Sequence, residues 1–208
     1  MPFDCNFNAD VLAQMLPNNQ QTAEWFYYMD QILPDYGITT APRIAAFMAQ
    51  CAHESAQFTV LTENLNYSTE GLCRVFPKYF PNTELAQAYA HKPEQIANKI
   101  YGGRMSNGAE ATGDGWRFHG RGIVQITGRD NYTRCSQDLY GDDTLLQNPD
   151  KLTDKDGAIY SACWFWFGRD LNTLADAGDM LNITKKINGG TIGLEDRMSH
   201  YNAYLQML

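Results

Sequence analysis

Eight of the chain's seventeen glycines fall between Gly102 and Gly128, and no helix of ordinary length runs through such a stretch, because each glycine costs about 1 kcal/mol relative to alanine in a helix. Asp114-Gly115 adds a turn signal inside it. On either side the apolar residues recur at helical spacing. Val11, Leu12, Met15 and Leu16 predict a helix over 7–16, and Trp25, Phe26, Met29, Ile32 and Leu33 one over 22–33. Thr40 can cap a third helix with Pro42 in its first turn and a stripe of Ile44, Phe47, Met48 and Cys51. Further helices are expected at 84–91, 94–101, 153–167, 179–187 and 193–207. Ile123-Val124-Gln125-Ile126-Thr127 alternates like a strand, which would put Gln125 and Thr127 on one face. The chain therefore reads as mainly α with a small β element midway.

With 208 residues and no repeat or linker, the chain is expected to be a single domain, residues 1–208, of one or two lobes. A net charge of −8 gives no basic footprint, so neither nucleic acid nor an anionic membrane is an expected partner. The longest apolar run, 162–167, is far short of the ~20 residues of a membrane span. The opening Met1-Pro2-Phe3-Asp4-Cys5-Asn6 carries no secretory pattern. Five cysteines without a CxxC spacing predict reduced thiols, with Cys51 and Cys163 in the core. No metal or cofactor is expected.

Glu54 is the informative anomaly. It stands three residues after Cys51 and seven after Phe47, on the apolar stripe of the third helix. A desolvated carboxyl there would be raised towards the range of a general acid. The alternatives are that it lies past the last buried turn or pairs with a buried arginine. Glu63 follows nine residues on, in a polar loop. Two carboxyls in unlike surroundings match the acid and base of glycoside hydrolysis. Other patterns fail: His53-Glu54-Ser55-Ala56-Gln57 lacks the second histidine of a zinc protease, and Gly120-Arg121-Gly122 lacks the third glycine of a dinucleotide loop.

Ala52-His53-Glu54-Ser55, Glu63-Asn64-Leu65-Asn66-Tyr67-Ser68, Gly120-Arg121-Gly122-Ile123-Val124-Gln125-Ile126-Thr127-Gly128 and Ile187-Asn188-Gly189-Gly190 together resemble glycoside hydrolase family 19. The family holds plant-type chitinases and phage endolysins. The resemblance implies a lysozyme-like, two-lobed helical fold around a sugar-binding cleft, and an inverting mechanism. Glu54 matches the general acid and Glu63 the general base. Thr127 falls where the family has a residue that helps hold the attacking water. Gln125, Asn131 and Asn188 match residues that hydrogen-bond substrate. Arg197 resembles an arginine near the glutamates, with Glu63 as its expected partner.

Around these segments, Tyr67, Tyr101, Trp116 and Phe118 are candidates to stack on sugar rings, whereas Trp164, Phe165 and Trp166 read as core. Arg104, Arg117 and Arg121 are candidates to meet carboxylates of peptidoglycan. The expected activity is cleavage of β-1,4 bonds in peptidoglycan by a monomer made in the cytoplasm and delivered to the cell wall by a holin or secretion system. Chitin is the alternative substrate, since a neutral polymer does not repel an acidic enzyme, and a catalytically silent glycan-binding protein is the third reading.

Overall fold

The computed structural model describes residues 3–208; Met1 and Pro2 of the opening segment lie outside the described residues. In chain order the helices are α1 (Ala9–Met15), α2 (Thr22–Ile32), α3 (Ala41–Glu54), α4 (Thr69–Val75), α5 (Thr83–Tyr89), α6 (Pro93–Tyr101), α7 (Asp114–Arg117), α8 (Arg129–Tyr140), α9 (Thr144–Gln147), α10 (Lys155–Phe167), α11 (Leu171–Asp176), α12 (Met180–Asn188) and α13 (Leu194–Met207). They fall into two compact units. The first comprises the described residues up to Leu61 with Gly122–Val124 and Lys151–Leu208; the second comprises Thr62–Arg121 and Gln125–Asp150.

The first unit is organised around α3. Its sequence suggests a one-sided stripe, yet every residue from Ile44 to Ala52 is buried. Ala45, Ala46, Ala49 and Ala52 are small enough for neighbouring helices to close on the remaining faces. Phe47 meets Trp166 of α10 edge to face at 5.4 Å, and α13 packs along α3. Cys51 and Cys163 are buried here, and burial pushes both thiols up. Thr40 occupies the N-cap of α3 without a side-chain capping bond.

The second unit has its own core of Leu65, Leu72, Phe80, Ala86, Ile96, Ala97 and Ile100, with Tyr67, Tyr101 and Trp116 packed against it. At Gly115 an added Cβ would lie 2.5 Å from the Ala97 carbonyl, so α6 and α7 approach backbone to backbone. The glycine-rich stretch thus permits a close contact besides breaking helices.

The expected strand over 123–127 does not form. Among the described residues the only extended pairings are the single bridges Thr62 to Arg121 and Arg121 to Ile126. Gly122 and Gln125 take left-handed φ of +79° and +52°, which a strand cannot accommodate. Arg121 and Ile126 exchange backbone bonds of 3.2 and 2.8 Å, closing 121–126 into a tight turn.

Candidate active site

In the second unit, Glu63 is fixed through its backbone and through both carboxylate oxygens. Its N–H donates to the Gly120 carbonyl at 2.9 Å. Tyr101, the last residue of α6, donates its phenol O–H to Oε1 at 2.6 Å, and the Gly120 N–H donates to Oε2 at 3.2 Å. Burial, then the Glu63 charge and its hydrogen bond, push the Tyr101 hydroxyl far above the ordinary tyrosine range, so it stays protonated and remains a donor. The structure thus gives Tyr101 a polar contact to a catalytic candidate, where the sequence suggested only a stacking ring.

Gln125 and Thr127 meet at the same place, although not as neighbours on a strand face. A Cβ built on Gly120 would come within 2.6 Å of Gln125 Oε1, 3.2 Å of Thr127 Oγ1 and 3.3 Å of Glu63 Cβ. Gly120 is therefore the point on which Glu63, Gln125 and Thr127 converge, and only a residue without a side chain leaves them room. Thr127 Oγ1 donates to the Gln125 carbonyl at 2.9 Å. Asn131, on the first turn of α8, donates to the Thr127 carbonyl at 2.8 Å and accepts from Arg134 at 2.6 Å, so its amide braces this turn.

The aromatic and basic candidates separate. Trp116 is half-buried and stacks on His119 at 4.3 Å, with an interplanar angle of 20°. Tyr67 is half-buried against the edge of Phe76. Phe118 is wholly buried and packs on Tyr132, so it cannot reach a ligand. Arg121 is also internal: it bonds Asp150 at 2.8 Å and the Arg117 carbonyl at 2.9 Å, which removes it from the carboxylate-binding candidates. Arg117 is exposed and spends its guanidinium on the Leu146 carbonyl. Arg104 is exposed, rests on the Tyr79 hydroxyl and the Ile100 carbonyl through one nitrogen, and among the described residues has no acidic partner in ion-pair range.

In the first unit, Glu54 ends α3 with its side chain 23% exposed, and its Oε1 accepts from Arg197 Nη2 at 2.5 Å. Arg197, on α13, is buried and also donates to Gln50 Oε1. Glu63 is the partner expected for Arg197 from the sequence; in the structure the two terminal nitrogens of Arg197 bond Gln50 and Glu54 instead, the buried-arginine alternative for Glu54. Gln50 escaped the sequence reading, although a polar residue four positions before Glu54 on a buried helix was its signal. Gln50 in turn donates to Thr184 at 3.2 Å.

Beside this group, His53 Nδ1 lies 2.6 Å from Asp196 Oδ2, so adjacent residues of α3 pair with adjacent residues of α13. The hydrogen bond from His53 holds the Asp196 carboxyl below its usual range. Asn188 braces the preceding turn, donating to the Ile192 carbonyl and accepting from the Gly190 N–H, both at 2.8 Å. At Gly193 an added Cβ would run into the His53 ring.

Two carboxylates, each seated on dedicated donors in an otherwise helical chain, suit general acid–base hydrolysis of a glycan. The comparisons agree with that class. The family model for glycoside hydrolase 19, described as chitinase class I, matches residues 22–175. A glycosyl hydrolase family 19 domain-containing protein of Haemophilus influenzae is 42% identical over 161 residues, covering 77% of this chain and 78% of its own. The acidic 27 kDa endochitinase of Solanum lycopersicum is 28% identical, covering 96% of this chain and 83% of its own. The fold matches that of chitinase C from Streptomyces griseus HUT6037, with a TM-score of 0.63 at 19% identity, over 96% of this chain and 91% of that one. The chain belongs to glycoside hydrolase family 19, and it is a chitinase-like glycoside hydrolase with a lysozyme-like helical fold.

Proposed function

We propose that this hydrolase cleaves the β-1,4 glycan backbone of bacterial peptidoglycan with inversion. Glu54 protonates the glycosidic oxygen, and Glu63 takes a proton from the water that attacks the anomeric carbon from the opposite face. Thr127 and Gln125, gathered with Glu63 at Gly120, are suited to hold that water and neighbouring sugar hydroxyls. The observation that favours peptidoglycan is Arg104. It is an exposed guanidinium without an acidic partner among the described residues, close enough to Tyr101 for its charge to act on the phenol bound to Glu63. A neutral polymer offers it hydroxyl and amide oxygens but no counter-charge, whereas the lactyl and peptide carboxylates of peptidoglycan offer charged acceptors, whose hydrogen bonds are the stronger.

Chitin is the second reading. The net charge of −8 disfavours an anionic substrate, and curated relatives are described as endochitinases. Incubation with peptidoglycan and with chitin oligomers, followed by identification of the new reducing-end sugar, separates the two. Turnover of chitin oligomers without any release from peptidoglycan overturns the first reading, and glycan binding without turnover of either would mark a silent binding protein. Arg104→Ala should lose more activity on peptidoglycan than on chitin oligomers.

For mechanism, Glu54→Gln should fold and lose on the order of 10²–10⁴ in rate. The first-formed product should be the α-anomer by NMR; an initial β-anomer contradicts inversion.

A further inference from the structure

We infer that Tyr101 is the positioning residue of the catalytic base: its hydroxyl fixes the Glu63 carboxylate in one orientation and leaves Oε2 as the oxygen that accepts the water proton. This rests on the assignment of Glu63 as general base. Each carboxylate oxygen has two lone pairs, and the two here are unequally engaged. Oε1 carries the short bond from Tyr101 at 2.6 Å, while Oε2 carries only the longer one from the Gly120 N–H at 3.2 Å. A hydrogen bond to an ionised acceptor strengthens as it shortens. The shorter bond draws more electron density from Oε1, so Oε2 is the more basic oxygen and the one that takes the proton. The phenol gives up no proton of its own, so the step balances as transfer from water to Oε2 while the hydroxyl adds to the sugar.

The backbone that carries this phenol is held in place. Asn107 is buried and donates through Nδ2 to the Tyr101 carbonyl at 3.0 Å, and its Oδ1 accepts the Arg129 N–H of α8 at 2.9 Å. Asp114 carries the Arg129 guanidinium at 2.6 Å and the Gly108 N–H at 2.8 Å, which pins the loop between them. Directly after Tyr101, a Cβ on Gly102 would come within 2.5 Å of the Asn98 carbonyl and 2.8 Å of the Glu110 nitrogen. The end of α6 is thus wedged in place on the residue that reaches Glu63. Stacking on a sugar ring would not account for a hydroxyl bonded to Glu63.

Tyr101→Phe keeps the ring and removes the hydroxyl, which separates the two roles. Measured on whichever of peptidoglycan fragments or chitin oligomers the wild type turns over, this variant should lose roughly 10- to 100-fold in kcat. KM should stay within about threefold, and the thermal midpoint within a few degrees of wild type. Tyr101→Leu should show the same kcat loss. Glu63→Gln combined with Tyr101→Phe should be no slower than Glu63→Gln alone, since Tyr101 acts through the base it positions. Wild-type kcat in Tyr101→Phe overturns the inference, as does a loss confined to KM or a loss that adds to that of Glu63→Gln. If Glu63→Gln itself retains full activity, the assignment of the base falls instead.

Discussion

At the residue scale, the site is built from positions where a small change in side chain has unequal effects on stability and activity. Gly120 is the clearest. An alanine there must displace the Gln125 amide, which is the far end of a flexible side chain, and crowd Thr127 and Glu63. Gly120→Ala should therefore cost only about 1 kcal/mol of stability, at the low end for overpacking. Its activity should fall on the order of 10²-fold, because the displaced groups are those gathered around Glu63, the proposed base. Urea unfolding set beside kcat/KM checks this; parallel small losses in both would contradict it. Loss of Arg197 should cost more in stability. It is buried on Glu54 and Gln50, and Arg197→Ala strands both partners. A destabilisation of about 3 kcal/mol is expected by chemical denaturation, since one member of a buried pair is removed. The sequence brought out Glu54 by its place on an apolar stripe, and Glu63 mainly because its segment resembles the family. Their donors did not stand out: Tyr101 lies 38 residues from Glu63 and Arg197 lies 143 from Glu54, and no local period encodes such contacts.

At the scale of elements, helices with apolar residues at helical spacing were legible even when short, as α1, α5, α6 and α12 are. The spacing that predicted helices over 22–33, 153–167 and 193–207 corresponds to α2, α10 and α13 within a few residues. Helix α8 was missed because only Tyr132, Cys135 and Ser136 of its twelve residues are buried, too few to mark a stripe. The strand over 123–127 failed for a related reason: alternation over five residues fits a turn as well as a strand, and the left-handed φ at Gln125 belongs to the turn. The segment that follows α3 was equally unreadable. Ala56, Gln57 and Phe58 all have left-handed φ, of +47°, +59° and +63°, a conformation that costs roughly 1–2 kcal/mol for each such residue. Ser55 compensates. Its buried hydroxyl donates to the Cys51 carbonyl at 2.6 Å and accepts the Phe58 N–H at 2.9 Å. Ser55→Ala leaves that N–H buried without a partner, so a loss of about 1–3 kcal/mol is expected. For a chain of this size that is a fall of roughly 2–4 °C in thermal midpoint per kcal/mol. An unchanged midpoint would mean that the turn is held by its other contacts, from Asn18 and Asn19 to Gln57.

At the scale of the whole molecule, charge sets how stability and substrate capture respond to solution conditions. Burial lowers the His119 imidazole below 6.5, despite its hydrogen bond to the Trp116 carbonyl. Between its folded value and 6.5 the unfolded chain binds the extra proton, so stability is full above pH 6.5 and declines as pH falls below it. The Asp176 carboxyl, held down by Arg43, and that of Asp196, held down by His53, add losses below their ordinary value of 3.8. Urea unfolding across pH should show a plateau from neutrality to about pH 8, a shallow decline below pH 6.5, a steeper one below about pH 4, and a loss in alkali as the thiols of Cys51 and Cys163 ionise in the unfolded chain. Substrate capture follows from where the charge of −8 lies. The first unit carries seven basic against thirteen acidic residues, −6, and the second nine against eleven, −2. Glu63, Tyr101 and Arg104 thus belong to a nearly neutral unit, which eases the conflict between an acidic enzyme and an anionic glycan without removing it. Long-range repulsion still acts when the Debye length is about 30 Å, at 0.01 M salt, and is largely screened when it is about 8 Å, at 0.15 M. Over that range kcat/KM on soluble peptidoglycan fragments should rise severalfold, while on neutral chitin oligomers it should stay level. A fall on peptidoglycan would mean that Arg104 and its neighbours outweigh the net charge at encounter. A flat response on both would mean that charge plays no part in capture, and the argument from Arg104 for an anionic glycan would fail with it.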